Sequence, residues 1–89
     1  MSRDKRIGLN FFVDDELAEC DPLARLLLIG LFSLADQEGI LEDRPKKIKA
    51  LILPYDDCDI NALLNQLQEY NFISRDEIDD CKYIQVYDF

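Results

Sequence analysis

"DINALLNQLQEYNFISRDEIDDCKYIQVY", residues 59–87, changes its hydrophobic period partway along. Ile60, Leu63, Leu64 and Leu67 recur at spacings of three and four, the stripe of an amphipathic helix. Asp57 or Asp59 can open that helix by capping its first free amides, and Asn71 can close it. Helix is therefore expected over 59–70, with Asn61, Asn65 and Gln68 aligned on its outer face. Beyond Asn71 the period drops to two. FISRDE and KYIQVYD read as strands, the second with Ile84 and Val86 alternating with Tyr83, Gln85 and Tyr87. The acidic connection IDDC is short, so the two strands form a β-hairpin over 72–87.

Working back toward the N-terminus, Pro54 ends an earlier helix expected over 44–53. Asp43 is placed to cap it, Pro45 suits its first turn, and Ile48, Leu51 and Ile52 form its core stripe. Ile40–Glu42 is a short strand candidate. The clearest helix runs over 22–36, with Asp21 as N-cap, Pro22 in the first position and Gly39 just past the end. Leu23, Leu27, Leu31 and Leu34 share one face. Arg25, Leu28, Ile29 and Phe32 occupy the opposite one, so this helix is apolar nearly all round and needs cover on both sides. The cover is either the NFF segment with a short helix over 14–20, capped by Asp14 and carrying Leu17 and Cys20, or a second copy of the protein. Arg25, Leu28, Ile29 and Phe32 are the candidate protein interface. Residues 1–10, with Arg3, Lys5 and Arg6, read as a polar arm.

The order is helix, short strand, helix, turn, helix, strand, hairpin turn, strand. It is the order of a winged helix-turn-helix, with the hairpin as wing and residues 40–42 as its third strand. The expected fold class is α+β, mostly α, in a single domain over 1–89. A generic α+β domain with helices packed on a hairpin is the rival.

Composition removes several function classes. The 89 residues are 48% hydrophobic, enough for one packed domain. No apolar run spans a bilayer and no stretch has the build of a secretory signal, so a cytoplasmic protein without membrane contact is expected. There is no histidine, the commonest general base and zinc ligand. Cys20, Cys58 and Cys81 are widely spaced and read as reduced. DDELAE, YDDCD and EIDDC lack the spacing of a calcium loop, and the glycines are isolated, so no phosphate loop is present. The expectation is a non-enzyme with no catalytic residue, no metal, no cofactor and no small-molecule substrate.

With the elements placed, DPLARLLLIGLFSLADQEGILEDRPKKIKALILPYDD, residues 21–57, resembles the N-terminal winged-helix domain of phage and prophage replication proteins of the DnaD-like, replisome-organiser type. The likeness continues through INALLNQLQEYNFISRDE and KYIQVYDF, and covers about Phe11 to Phe89. LADQEG and LEDRPKKIKA are its most distinctive parts. The resemblance implies a winged-helix fold and a place in DNA replication, without catalysis. It carries Arg44, Pro45, Lys46, Lys47, Lys49, Pro54 and Tyr55 over as a family signature. In that family the chain runs on past the aromatic corresponding to Phe89, into a linker and a second domain.

Charge cuts across that expectation. The net charge is −9, and EDRPKKIKA, residues 42–50, gathers four of the ten basic residues. Arg44, Lys46, Lys47 and Lys49 are the candidate phosphate contacts. Lysines at a helix start oppose its dipole at a cost of about 0.3–1 kcal/mol each, which Glu42 and Asp43 can offset. Asn61, Asn65 and Gln68 are the candidate base-reading residues. Yet no cation lies between Lys49 and Arg75, while Asp56, Asp57, Asp59, Glu69, Asp76, Glu77, Asp79 and Asp80 are all negative. Such a surface repels phosphate, which supplies nearly all non-specific affinity. The expected partners are therefore DNA, held weakly, together with other replication proteins or a second copy. A small transcription regulator and an acidic DNA mimic are the alternatives.

Overall fold

Three aspartates start three of the helices. In the computed structural model, which describes residues 9–87, the Asp14 carboxylate accepts from the Leu17 amide at 2.9 Å and opens α2 (Asp15–Ala18). Asp21 does the same at Leu23, also at 2.9 Å, opening α3 (Pro22–Leu34) with proline in the first turn. Asp59 accepts from Ala62 at 3.2 Å and opens α5 (Ile60–Glu69). Each satisfies an amide that the helix leaves without an internal partner. A short α1 (Leu9–Val13) precedes them, so residues 9 and 10 of the expected arm are helical. Residues 1–8 of that arm, with Arg3, Lys5 and Arg6, lie outside the described residues.

α4 (Pro45–Ile52) starts differently. Its N-cap is Arg44, with no side-chain bond to the helix. Asp43, expected as the cap, is turned away to a guanidinium described below. Pro45 carries no amide, so fewer donors need a cap here. At the other end Lys49 Nζ donates to the Leu53 carbonyl at 3.3 Å, a cation on the helix's negative pole.

α5 closes on Asn71, which takes a left-handed conformation (φ 66°). The Phe72 amide then donates to the Leu67 carbonyl at 2.9 Å and the Asn71 amide to the Gln68 carbonyl at 3.0 Å. That paired closure turns the chain into β2 (Ile73–Ile78). β2 and β3 (Cys81–Val86) form a hairpin whose two turn residues, Asp79 and Asp80, both have positive φ (52° and 65°). Two left-handed residues in a row match the right-handed twist of the strands.

β1 (Ile40–Glu42) adds to β3, with Leu41 opposite Ile84, giving a three-stranded antiparallel sheet in the order β1-β3-β2. The loop into β1 is set by Asp36, whose carboxylate accepts from the Glu38 and Ile40 amides, both at 2.9 Å. Gly39 (φ 81°) lies so near β3 that a Cβ there would meet the Val86 carbonyl at 2.7 Å. Among the described residues the chain is thus a small α+β fold of five helices and one sheet, about half helical. No helix among them is long and apolar enough to cross a membrane.

The helices pack on one face of the sheet. Leu17, Leu27, Leu31, Leu64, Leu67, Ile73 and Ile84 are fully buried in a single apolar cluster. Leu28 and Phe32, on the second apolar face of α3 and candidates for a protein interface, belong to that cluster and are 0% and 3% exposed. The interface expectation is corrected for both. Phe11 of α1 and Leu17 of α2 are buried in the same cluster, so the N-terminal helices supply the second cover that α3 requires. The outward side of α3 is the one bearing Leu26 and Leu34, and Leu51 of α4, expected in the core stripe, is also exposed. α4 meets α3 where Ile52 lies over Gly30, and a Cβ at Gly30 would come within 2.5 Å of Ile52 Cγ2.

Candidate functional site

The outer face of α5 and the start of β2 share one hydrogen-bonded knot around Arg75. Arg75 sits opposite Ile84 in the sheet register, on the same side as Ile73, so its side chain leaves the sheet toward the helices. Its guanidinium takes the Asp43 carboxylate as a fork, with Nε to Oδ2 at 2.7 Å and Nη2 to Oδ1 at 2.9 Å. Nη2 also donates to Asn61 Oδ1 at 2.9 Å, and Nη1 to Asn65 Oδ1 at 3.0 Å. The Arg75 backbone amide donates to Gln68 Oε1 at 2.7 Å. One residue thus ties the β1–α4 connection, α5 and β2 together. The Asp43 side chain is only 5% exposed and that of Arg75 17%, so both charges are largely withdrawn from water.

The three residues expected to read bases are brought together here, but their acceptor oxygens are already used. Asn61 and Asn65 stay on the exposed surface with their amide nitrogens free to donate, while Gln68 is half-buried and caps the edge of β2. The cleft beside the knot, about 280 Å³, is lined by Asp43, Asn65, Gln68, Arg75, Asp76, Glu77 and Lys82. Its two cations face three carboxylates, and Arg75 is committed to one of them. Arg75 was not expected as a site residue. The signal for it was its strand parity: an arginine on the buried side of a strand needs a partner.

The expected phosphate contacts are divided by the structure. Arg44, Lys46 and Lys47 are exposed and have no ion-pair partner among the described residues. Lys49 is half-buried and points at the C-terminal carbonyl of its own helix. The basic surface is thus a three-residue patch at the start of α4. It lies beside a groove of about 190 Å³ floored by Leu34, Leu41, Ile48 and Leu51.

Of the expected interface residues, Arg25 and Ile29 are half-buried, and Ile29 packs against the core. Arg25 Nε is buried without a hydrogen-bond partner. Nearby, burial pushes the Cys20 thiol above its ordinary value of 9.0, against the pull of the Arg25 guanidinium, with Glu69 adding to the rise. No disulfide joins the cysteines: Cys20 is buried, Cys58 half-buried and Cys81 exposed. Among the described residues no group of three or more cysteines or carboxylates is arranged to hold a metal ion.

Comparison with protein-family models, with curated proteins and with solved structures gives no match for this chain.

Proposed function

We propose that this chain is a non-catalytic winged-helix domain of the DnaD-like phage replication kind, and that it works through protein contacts rather than by gripping duplex DNA. The element order and the strand order β1-β3-β2 support the winged-helix part, with α4 and α5 as the helix pair and β2–β3 as the wing. The Arg75 knot carries the rest. In a DNA-reading helix pair the second helix enters the major groove and nearby cations hold the phosphates. Here the cation behind that helix is neutralised by Asp43, and the side-chain oxygens of the exposed Asn61 and Asn65 are taken up by the same guanidinium. Asp76, Glu77, Asp79 and Asp80 of the wing then stand against Lys82 alone. A duplex approaching this face meets repulsion with only Lys82 as a counterweight. Arg44, Lys46 and Lys47 remain as a patch suited to acidic partners.

The test is titration of the 89-residue chain into labelled duplex and single-stranded DNA at low and near-physiological salt. The expected result is no binding near physiological salt and only weak binding at low salt, lost when Lys46 and Lys47 become Glu. Sequence-selective duplex binding that persists near physiological salt and falls with Asn61→Ala or Asn65→Ala would overturn the proposal. A direct DNA reader, such as a small transcription regulator, would take its place.

A further inference from the structure

Between the end of α3, β1 and α4 lies the aliphatic groove of about 190 Å³. Leu34 comes to it from α3, Leu41 from β1, and Ile48 and Leu51 from α4. Ile48 is buried, while Leu34 and Leu51 stay 37% and 57% exposed. Three elements thus converge apolar side chains on one site open to solvent, beyond what the core itself uses.

Its rim is cationic. Arg44, Lys47, Ile48 and Leu51 follow the three- and four-residue spacing of one helix face, so the two cations share a side of α4 with the aliphatic lining. Lys46 and Lys49 fall elsewhere around the helix and do not line the groove. Arg44 and Lys47 are exposed, have no ion-pair partner among the described residues, and meet one acid at the groove, Glu42. α4 also starts on Arg44 without a side-chain cap, unlike α3 and α5, so the amides of its first turn can take a carboxylate from outside.

Size and charge select the occupant. The groove is smaller than the roughly 300–1,000 Å³ of small-molecule pockets and suits a single branched side chain. A DNA backbone offers phosphates to the rim but no aliphatic group to the floor. A basic peptide is drawn to the other faces of a chain whose net charge is −9, whereas an acidic one finds unpaired cations here. Resting on the protein-contact function proposed above, we infer that this groove takes a short acidic segment of a partner protein. One leucine or isoleucine of that segment enters among Leu34, Leu41 and Leu51, and its neighbouring carboxylates meet Arg44, Lys47 and the first-turn amides of α4. The aliphatic anchor supplies affinity, and the exposed charges select the acidic context and speed encounter.

Nuclear magnetic resonance of the full chain, isotope-labelled at amides and methyls, tests this by titration with a peptide bearing one leucine between two pairs of aspartates. The expected result at low salt is saturable movement of the Leu34, Leu41, Ile48 and Leu51 methyls. Serine in place of the peptide's leucine weakens binding about tenfold or more, and lysines in place of its aspartates abolish it. Lys47→Glu weakens it about fivefold, whereas Lys46→Glu, an equal charge change outside the groove, costs about twofold or less. Glu42→Gln removes the opposing acid and tightens it about twofold. The decisive arm is reversal. Arg44→Glu with Lys47→Glu is expected to refuse the aspartate peptide and to accept the lysine one through the same methyls, which also shows that variant to be folded. Groove methyls that stay still at millimolar peptide overturn the inference. So does equal weakening by Lys46→Glu and Lys47→Glu, or a reversed variant, folded by circular dichroism, that still prefers aspartate. Methyl shifts that follow protein concentration without peptide assign the groove to a second copy and overturn it too. Duplex DNA in place of the peptide separates the two proposals. If neither ligand binds, the inference falls and the protein-contact function stands on another surface. If duplex binds through Arg44 and Lys47 near physiological salt, both fall.

Discussion

Removing either end of the Arg75–Asp43 pair destabilises the fold, and the two ends are not equivalent. Arg75→Met keeps most of the aliphatic stem but leaves the Asp43 carboxylate, 5% exposed, without its fork. An uncompensated charge in such a place costs about 3–5 kcal/mol when fully buried. The remaining water access puts the expected cost near the lower bound, about 3 kcal/mol. Asp43→Ala leaves a guanidinium that is 17% exposed and still donates to Asn61 and Asn65. It rehydrates more easily, so about 2 kcal/mol is expected. A domain of this size has roughly 5–10 kcal/mol of stability in all, so both losses are large. Urea unfolding followed by far-ultraviolet circular dichroism measures them. At a slope of about 1.5 kcal/mol per molar, Arg75→Met lowers the midpoint by roughly 2 M and Asp43→Ala by somewhat over 1 M. The double variant removes both charges together, so its loss is smaller than the sum, with a coupling of about 2 kcal/mol. A coupling below about 0.5 kcal/mol would place the pair among ordinary surface ion pairs and refute the reasoning.

Gly30→Ala gains about 1 kcal/mol of helix propensity but drives a methyl into Ile52, so a net loss of about 1–2 kcal/mol is expected. Adding Ile52→Ala relieves the clash, and thermal melts should show the pair of changes costing less than Gly30→Ala and Ile52→Ala summed. The Cys20 thiol gives a pH signature. Its folded value is raised, so in the folded protein it holds its proton where the unfolded chain begins to lose it. Its contribution is complete below the unfolded value and fades as pH rises from about 9 through the folded one. Urea midpoints measured from pH 8 to 10.5 should fall less steeply in Cys20→Ala than in the parent chain. In the native state at pH 8, a thiol reagent should modify exposed Cys81 first and buried Cys20 last.

What could be read from the residues alone was whatever rests on local chemistry. Asp14, Asp21 and Asp59 cap helices because a short carboxylate reaches amides two or three residues on. The alternation of Ile84 and Val86 with polar neighbours places β3. The knot was not readable, because its members come from positions 43, 61, 65, 68 and 75 and meet only after α5 and β2 have packed. For the same reason Asp43 looked like a cap: local geometry offered it an amide, and the tertiary fold offered it a guanidinium. The two faces of α3 were left open for a different reason. When a helix is apolar all round, periodicity cannot say which side is covered more deeply. Leu28 and Phe32 went inside because Phe11 and Leu17 come to that side, leaving Leu26 and Leu34 outward. The cluster at 42–50 answers two ways: Lys49 serves its own helix, whereas Arg44, Lys46 and Lys47 face outward.

The sheet's strand order has a bearing on how the chain reaches this state. β2 and β3 close over a two-residue turn, a local event of microseconds. β1 joins β3 only when Leu41 finds Ile84, across half the chain, with α4 and α5 already in the intervening loop. Loop-closure entropy therefore makes the three residues of β1 the last rung to form and the first to open. Amide exchange at Leu41 ahead of Ile84 would reveal that order. Since Leu41 also floors the groove and Asp43 comes straight after the last residue of β1, opening β1 releases the carboxylate that holds Arg75. A brief fraying at the sheet edge would then bare a cation on a face otherwise dominated by acids, making the electrostatic character of that face a property of time as well as of structure.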